Sequence, residues 1–195
     1  MENLHFVEAV TPEQLLLMSQ LHAMGWRTAC RGMIPSEYLD HHIREDGWVD
    51  RFQRRYAAGE AHGLLLYRGE KPVCCISYGD VRTDPNVLGG VLELGPESLD
   101  CAGWGEIHSF YAHPEETGRG YGSLVVEEVL RRFREEGRPG VCVFALRENA
   151  GACRFYEKHG FYWDGAQLPI FYPPDAVCVD LRYVQVLPLD FCASR

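Results

Sequence analysis

Three closely spaced glycines, Gly118, Gly120 and Gly122, lie in the segment "HPEETGRGYGS" (113–123), directly before an apolar helical pattern. Glycine inside a helix or strand lowers its stability by about 0.5–1 kcal/mol relative to alanine. Three closely spaced glycines therefore indicate a structural or functional requirement. The first N–H groups of a helix have no partner inside the helix, and the helix dipole adds partial positive charge there. A glycine-lined approach lets a phosphate reach these groups without meeting a β-carbon. The segment predicts either an anion-binding turn or an ordinary turn between a strand and a helix.

Three anion-binding motifs compete for this segment. The P-loop is set aside because the chain has no Gly-Lys-Ser/Thr sequence. The Rossmann fingerprint G-x-G-x-x-G fits poorly, since the third glycine comes one position early and no early strand of a doubly wound sheet precedes it. The third motif, [Q/R]-x-x-G-x-G/A, binds the pyrophosphate of coenzyme A, and Gly120 and Gly122 match its glycine positions.

The elements around the glycine turn follow from hydrophobic periodicity. A strand over 104–113 leads into the turn, and a helix from about 120 to 136 follows it. The helix has one apolar face, formed by Leu124, Val125, Val129, Leu130 and Phe133. Downstream, the pattern predicts a strand over 140–146, a helix over 149–160 and strands near 160–167 and 176–187.

The upstream half begins with a short strand over 4–10. Thr11 to Gln14 form a capping box with Pro12 at the first helical position, which predicts a helix through about Met24. The later patterns predict a helical region over 35–58 that is broken near 46–47, a hairpin of strands 62–68 and 72–79, and a long loop over 80–100 with at most one minor strand. We interpret 1–195 as one α/β domain with a mixed sheet.

The composition limits the classes of partner. The chain has 195 residues, a formal net charge of −9 and 46% apolar residues. An acidic chain is a poor binder of nucleic acid or anionic membranes, and its charge is weakly compatible with a cationic substrate. The start of the chain resembles no secretory signal, and no stretch reaches the roughly 18–20 apolar residues that cross a bilayer. We therefore expect a cytoplasmic protein that binds neither nucleic acid nor membrane.

The cysteines and histidines give no metal-ligand pattern. The eight cysteines form no C-x-x-C pair, and most lie among apolar residues, so buried thiols in a reducing compartment are predicted. The adjacent His41 and His42 have no second ligand cluster, so a solvated helix face is the favoured interpretation. The sequence predicts no metal site.

The segment from Glu106 to Phe161 resembles the GNAT superfamily of acetyl-CoA-dependent N-acetyltransferases. The resemblance rests on "FYAHPEETGRGYGSLVVEEVL" and on "LRENAGACRFYEKHGF", which has the family spacing N-x-x-A-x-x-F-Y-x-x-x-G-F. It implies a mostly antiparallel mixed sheet with a central splayed pair of parallel strands and about four flanking helices. Within the domain, 1–100 would form the acceptor side and 101–195 the acetyl-CoA side.

The resemblance also implies catalytic residues. Glu106, fourteen residues before Gly120, matches the position of the general base in family members that use a glutamate. Tyr156 matches the phenol that protonates the leaving thiolate. The alternatives from the residues alone are a solvent-exposed glutamate at a strand edge and a packed tyrosine. His108, on the same strand face as Glu106, is a second base, a substrate contact or a packed histidine.

The cofactor contacts implied by the resemblance lie on the strand, the turn and the second motif. Phe110, Tyr111 and Ala112 would pair with pantetheine through their backbone groups. The alternative is an ordinary central strand whose backbone groups are all hydrogen-bonded to the neighbouring strands. Asn149 is either a cofactor contact or the N-cap of its helix. Thr117 departs from the family, which usually has Gln or Arg there. The remaining implied contacts are Gly118, Arg119, Gly120, Gly122, Ser123 and Phe155.

The acceptor would be an amine of a small molecule or a peptide. The family builds the acceptor pocket from the loop between the first two helices and from the late strands. In this chain those regions offer Trp26, Arg27, Arg31, Tyr38, Tyr162, Trp163, Phe171 and Tyr172. The second hypothesis is a non-catalytic acyl-CoA-binding sensor, and both a monomer and a homodimer remain open.

Overall fold

In a computed structural model, the described residues, 3–173 and 175–188, contain one sheet of seven strands packed against helices. The strands are β1 (Leu4–Glu8), β2 (Ala61–Arg68), β3 (Lys71–Asp80), β4 (Gly105–Ala112), β5 (Gly140–Leu146), β6 (Tyr162–Tyr172) and β7 (Ala176–Val186). The helices are α1 (Pro12–Ala29), α2 (Ser36–His42), α3 (Val49–Ala57), α4 (Pro85–Leu88), α5 (Tyr121–Glu135) and α6 (Ala150–Lys158).

The sheet has the order β1-β2-β3-β4-β5-β7-β6, and only its central pair, β4 and β5, is parallel. That pair is connected through α5, as a parallel connection requires. Its ladder joins Gly105–Ile107 to Val141–Val143 and then ends, so the two strands part. This confirms the predicted fold class, including the splayed central pair.

Alternating side chains place the two helix layers on opposite faces of the sheet. Leu64 and Leu66 of β2 pack in a cluster with α5 and α6, whereas Leu65 packs with α1 and α3. Fully burying a side chain of this kind contributes about 1.5–3 kcal/mol. The cavity described below is lined by residues of both layers, from α1, α2 and α3 and from α6.

Helix α1 is longer than the sequence pattern predicts. The capping box of Thr11 and Gln14 is present, but the helix continues past Met24 to Ala29. Gly25 lies inside it, where a β-carbon would overlap the ring of Tyr111 on β4. The glycine therefore serves close packing of α1 on the sheet rather than ending the helix.

The segment 81–104, here called the insert, is folded onto the sheet rather than being a plain loop. It contains α4 and an isolated bridge between Glu93 and Gln167. A buried ion pair of Asp164 and Arg182 anchors it, because Leu99 N–H donates to Asp164 Oδ2 (3.1 Å) and Arg182 Nη2 donates to Leu99 O (2.8 Å). The insert is thereby fixed against β6 and β7.

Strand β6 runs to Tyr172, beyond the predicted end at 167. It lies at the edge of the sheet, where Pro169 can be accommodated because an edge strand has unpaired positions. The register with β7 shifts between Trp163 and Gln167, around Gly165 with φ +87°.

The seven described cysteines are free and buried, and Cys192 lies outside the described residues. Burial raises the pKa of the Cys74 thiol to about 12, which makes it a poor nucleophile. Within residues 3–173 and 175–188, His, Cys, Asp and Glu form no group of three that could hold a metal ion. The helices in that same part of the chain are too short or too polar to cross a membrane.

Candidate active site

The glycine turn leaves the start of α5 open. Gly118 and Gly120 have φ values of +76° and +84°, the left-handed region that favours glycine, and a β-carbon at either would meet nothing within 4 Å. Gly120 is the N-cap of α5, and no side chain in the described part of the chain caps that helix. An open helix N-terminus of this kind suits an anion.

Gly122 differs from Gly118 and Gly120, because its environment is filled by aromatic side chains. It lies inside the first turn of α5, where a β-carbon would be 3.1 Å from Phe110 Cζ and 3.3 Å from Phe155 Cε2. These two rings stack at 5.6 Å between centroids. Gly122 therefore allows aromatic packing behind the turn.

We expect Gly122→Val to destabilise the fold by about 1–3 kcal/mol, because its extra methyl groups crowd Phe110 and Phe155. Denaturant unfolding measures this cost, and a titration with coenzyme A measures affinity. Gly118→Ala is the comparison, since it strains the backbone without contacting either ring. If Gly122→Val were as stable as the wild type, the packing role would be wrong.

The polar side chains of the turn are engaged locally. The hydroxyl of Thr117 donates to Pro114 O (3.1 Å), and Arg119 Nε lies 3.3 Å from Glu116 Oε2. The carboxylate of Glu116 also pairs with Lys71. Ser123 N–H donates to Gly120 O within the first helical turn. The backbone is thus the main source of anion-binding groups at this turn.

Beyond Ile107, β4 has a ladder partner on one edge only. Phe110, Tyr111 and Ala112 pair with β3, while within the described residues the β4–β5 ladder stops at Ile107 and Val143. On the other side of the gap, 144–146 pair with β7. The gap exposes two strand edges that an extended chain could join by hydrogen bonds.

A cavity of about 500 Å³ opens beside this gap, and residues of α1, α2, α3 and α6 all line it. Four of the eight predicted acceptor residues line it: Trp26, Tyr38, Phe171 and Tyr172. The other four, Arg27, Arg31, Tyr162 and Trp163, do not. Val87, Leu88 and Gly89 of the insert complete one wall.

Glu106 is fully buried and is not among the residues that line the cavity. Its two oxygens accept hydrogen bonds from Arg82: backbone N–H to Oε2 (2.7 Å), Nε to Oε1 (2.8 Å) and Nη2 to Oε1. The glutamate is therefore not a solvated residue at a strand edge. These three hydrogen bonds leave the carboxylate about one further acceptor position, but Glu106 does not line the cavity in which an amine would bind.

His108 is held on both ring nitrogens. Nε2 lies 2.9 Å from Asp80 O, which can only accept, so Nε2 carries the proton and Nδ1 accepts from Arg55 (3.4 Å). Burial, followed by the positive charges of Arg82 and Arg55, lowers the pKa of His108 well below its ordinary value. This arrangement favours the packed, neutral histidine over a second base.

Tyr156 lines the cavity from α6, and Asn149 lies at the start of that helix. Burial raises the pKa of the Tyr156 phenol, so it is protonated and able to donate at neutral pH. The side chain of Asn149 accepts from Ala152 N–H (3.0 Å), which makes it the N-cap, and it also faces the cavity.

Asp180 of β7 is the carboxylate in the cavity that the sequence analysis missed. In the described part of the chain, no residue donates a hydrogen bond to its side chain. Burial raises its pKa to about 6, against the opposing charge of Arg82. The available signal was its strand position, since Cys178, Asp180 and Arg182 alternate on one face and Cys178 and Arg182 are buried.

Two aromatic side chains of α1 present unpartnered polar atoms. His22 Nδ1 and Trp26 Nε1 are buried without a hydrogen-bond partner among the described residues, and both residues line the cavity. His22 lies between Trp48 and Tyr111, with centroid distances of 4.3 and 4.5 Å. Burial, followed by the charge of Arg51, lowers its pKa to about 3. An acceptor molecule could satisfy these atoms.

Comparison with known proteins identifies the family. Residues 26–161 match the acetyltransferase (GNAT) family, and the chain therefore belongs to that family. An uncharacterized N-acetyltransferase of Methanocaldococcus jannaschii is 34% identical over 56 residues, which are 29% of this chain. The match spans 25% of that curated relative, about a quarter of its length.

Solved structures share the fold. The PaiA N-acetyltransferase from Thermoplasma acidophilum in complex with coenzyme A has a TM-score of 0.69 and 15% identity, over 95% of this chain and 99% of that chain. The structure of yncA from Salmonella typhimurium with its cofactor acetyl-CoA has a TM-score of 0.63 and 15% identity, over 98% of this chain and 96% of that one.

Proposed function

We propose that the chain transfers an acetyl group from acetyl-CoA to a primary amine. The observation that carries this proposal is the cavity beside the β4–β5 gap, because Tyr156 and Asp180 both line it. Membership of the GNAT family and the coenzyme-containing structures of the same fold support acetyl-CoA as the donor.

The site fits a coenzyme A-type ligand in two places. The open turn with Gly118 and Gly120 suits a diphosphate, and the free edge of 110–112 suits an extended pantetheine chain. We assign the remaining implied contacts to the same binding surface: Thr117, Arg119, Gly122, Ser123, Asn149 and Phe155. Bound acetyl-CoA supplies the thioester that carries the acetyl group.

The amine must lose a proton to react. An alkyl ammonium has a pKa of about 10.4, so its deprotonation at pH 7 costs roughly 4–5 kcal/mol, and a positioned base is worth about 10²–10⁴ in rate. Because Glu106 is held by Arg82 away from the cavity surface, we assign the base role to Asp180. Glu106 then neutralises Arg82 at the cavity wall.

In this proposal the amine nitrogen bonds to the acetyl carbon as the carbon–sulfur bond breaks. The ammonium form first loses one proton to Asp180, which releases it to solvent; Asp180 then accepts the second proton from the bonded nitrogen, and Tyr156 donates one proton to the departing sulfur. Backbone N–H groups on the free edge of β4 are candidates to polarise the carbonyl oxygen. A proton that returns from Asp180 to Tyr156 through water restores the enzyme.

Release of free thiol from acetyl-CoA, measured with a panel of amines, tests the function. We expect amine-dependent thiol release and formation of the N-acetyl product. Titration of coenzyme A in parallel reports binding independently of turnover. Binding without thiol release on any amine would overturn the transferase and leave the non-catalytic sensor.

A further inference from the structure

Three arginines line the side of the cavity formed by α3 and the insert. Arg51 and Arg55 lie one turn apart on α3, and Arg82 follows β3. Side chains at this helical spacing share a face, so the two α3 guanidinium groups project to the same side. A charge cluster of this kind contrasts with the chain's overall acidity.

Nearby carboxylates neutralise the three arginines only in part. Arg82 is paired with the buried Glu106. Arg55 has Glu60 at 3.4 Å, but that carboxylate is 60% exposed and contributes little. Arg51 donates to Val87 O (3.2 Å), and none of the described carboxylates lies within 4.0 Å of it.

This excess positive charge lowers the pKa of neighbouring basic groups. Partial burial, followed by repulsion from Arg82 and Arg55, lowers the pKa of the Arg51 guanidinium. After burial, the same cluster also lowers the pKa of His108, and Arg51 acts on His22. Like charges held together at a cavity wall are stabilised when an anion binds between them.

The phosphates of the coenzyme are not that anion. Arg82 binds Glu106, near the start of β4, whereas the glycine turn follows Ala112 at its end. Six residues of strand span about 20 Å, so the cluster and the turn lie at opposite ends of β4. The arginines therefore face the acceptor side of the cavity.

We infer that the acceptor is a small amine that also carries a carboxylate, which binds at Arg51 and Arg55 while the amine lies toward Asp180. This inference rests on the proposed function and names its substrate class. A cavity of about 500 Å³ is within the size range of small-molecule sites, which favours an amino acid-like acceptor over a protein chain. Arginine's fork geometry matches a carboxylate bidentately.

Matched acceptor pairs test the inference. Thiol release would be measured with methionine against methioninamide and with phenylalanine against phenylalaninamide. Because the amide also lowers the pKa of the neighbouring amine, kcat/KM is calculated per concentration of neutral amine. We expect this kcat/KM to be at least 10-fold higher for each acid. Arg51→Gln and Arg55→Gln should each raise KM for the acids about 10-fold or more and lower the acid-to-amide ratio. Arg54→Gln, on the same helix but outside the cavity lining, is the matched control.

Binding separates failure of the inference from failure of the proposed function. Without acetyl-CoA, methionine or N-acetylmethionine should raise the Tm of the wild type and of Arg54→Gln but not of Arg51→Gln. If no amine gave turnover, the proposed transferase function would be wrong, but this pattern of Tm shifts would still support the anion site. Equal kcat/KM for acids and amides, or a Tm shift unchanged in Arg51→Gln, would overturn the inference.

Discussion

The Asp180→Asn variant is expected to lower kcat/KM by about 10²–10³ and to lose the acid limb of its pH profile. In the wild type, kcat/KM should rise as Asp180 ionises near pH 6, because only the ionised carboxylate can accept a proton from the amine. Steady-state thiol release from pH 5 to 8 measures this limb.

The same variant is expected to be more stable than the wild type above pH 6. The folded pKa of Asp180 is about 6, above the ordinary 3.8, so between these values the native state binds more protons than the unfolded state. Its contribution to stability is present below pH 3.8 and is lost as the pH rises through 6. Asp180→Asn removes this loss, so the free energy of unfolding of the variant at pH 8 should exceed that of the wild type by about 1–3 kcal/mol. Thermal melts at pH 4 and pH 8 measure the difference.

A matched electrostatic control comes from Glu148, whose negative charge raises the pKa of Asp180. Glu148→Gln should keep the acid limb and move it to lower pH by a few tenths of a unit. If Asp180→Asn retained the wild-type profile while Glu106→Gln lost its acid limb, the base would be Glu106, as the family resemblance implied.

Tyr156→Phe is expected to reduce kcat by about 10²–10³ while the Kd for coenzyme A stays within about 2-fold. A phenol is protonated at neutral pH, and burial raises the pKa of Tyr156 further. Its removal leaves the thiolate without this donor. The ring itself, which packs against Phe161, is retained in the variant. Single-turnover thiol release and a coenzyme A titration give the two numbers.

Tyr162→Phe provides the comparison, because Tyr162 is 49% exposed on β6 and lies outside the cavity lining. It should leave both kcat and coenzyme affinity unchanged. A leaving group with a lower thiol pKa should partly rescue Tyr156→Phe, since it needs less protonation. A loss of coenzyme binding equal to the loss of kcat would instead assign Tyr156 a packing role.

The central elements were predictable because their signals are local. Apolar spacing and the glycine turn marked β4, α5 and β5, and a capping box marked the start of α1. The end of α1 was not predictable, since Gly25 weakens a helix locally and is explained only by Tyr111 from a distant strand. The fold of the insert was equally hard to predict, because Leu99 bonds to Asp164 and Arg182, which lie far away in the sequence on β6 and β7.

The charged part of the site was missed for related reasons. Arg51 and Arg55 have the spacing of a solvated helix face, and only the fold brings Arg82 beside them. Asp180 lies in a mostly apolar strand, where a lone carboxylate gives no motif. Sequence resemblance pointed to Glu106 by its offset from the glycine turn, but it gave no indication that Arg82 would occupy both oxygens.

The insert supplies Arg82 and the segment from Val87 to Gly89 to a cavity that β4 and β5 also line. If the proposed function holds, exchange or resizing of residues 83–98, between Arg82 and the Leu99 anchor, should change which amines the cavity accepts while the glycine turn keeps its backbone geometry. Loop grafting at this segment is therefore a route to a different acceptor that leaves residues 118–122 unchanged.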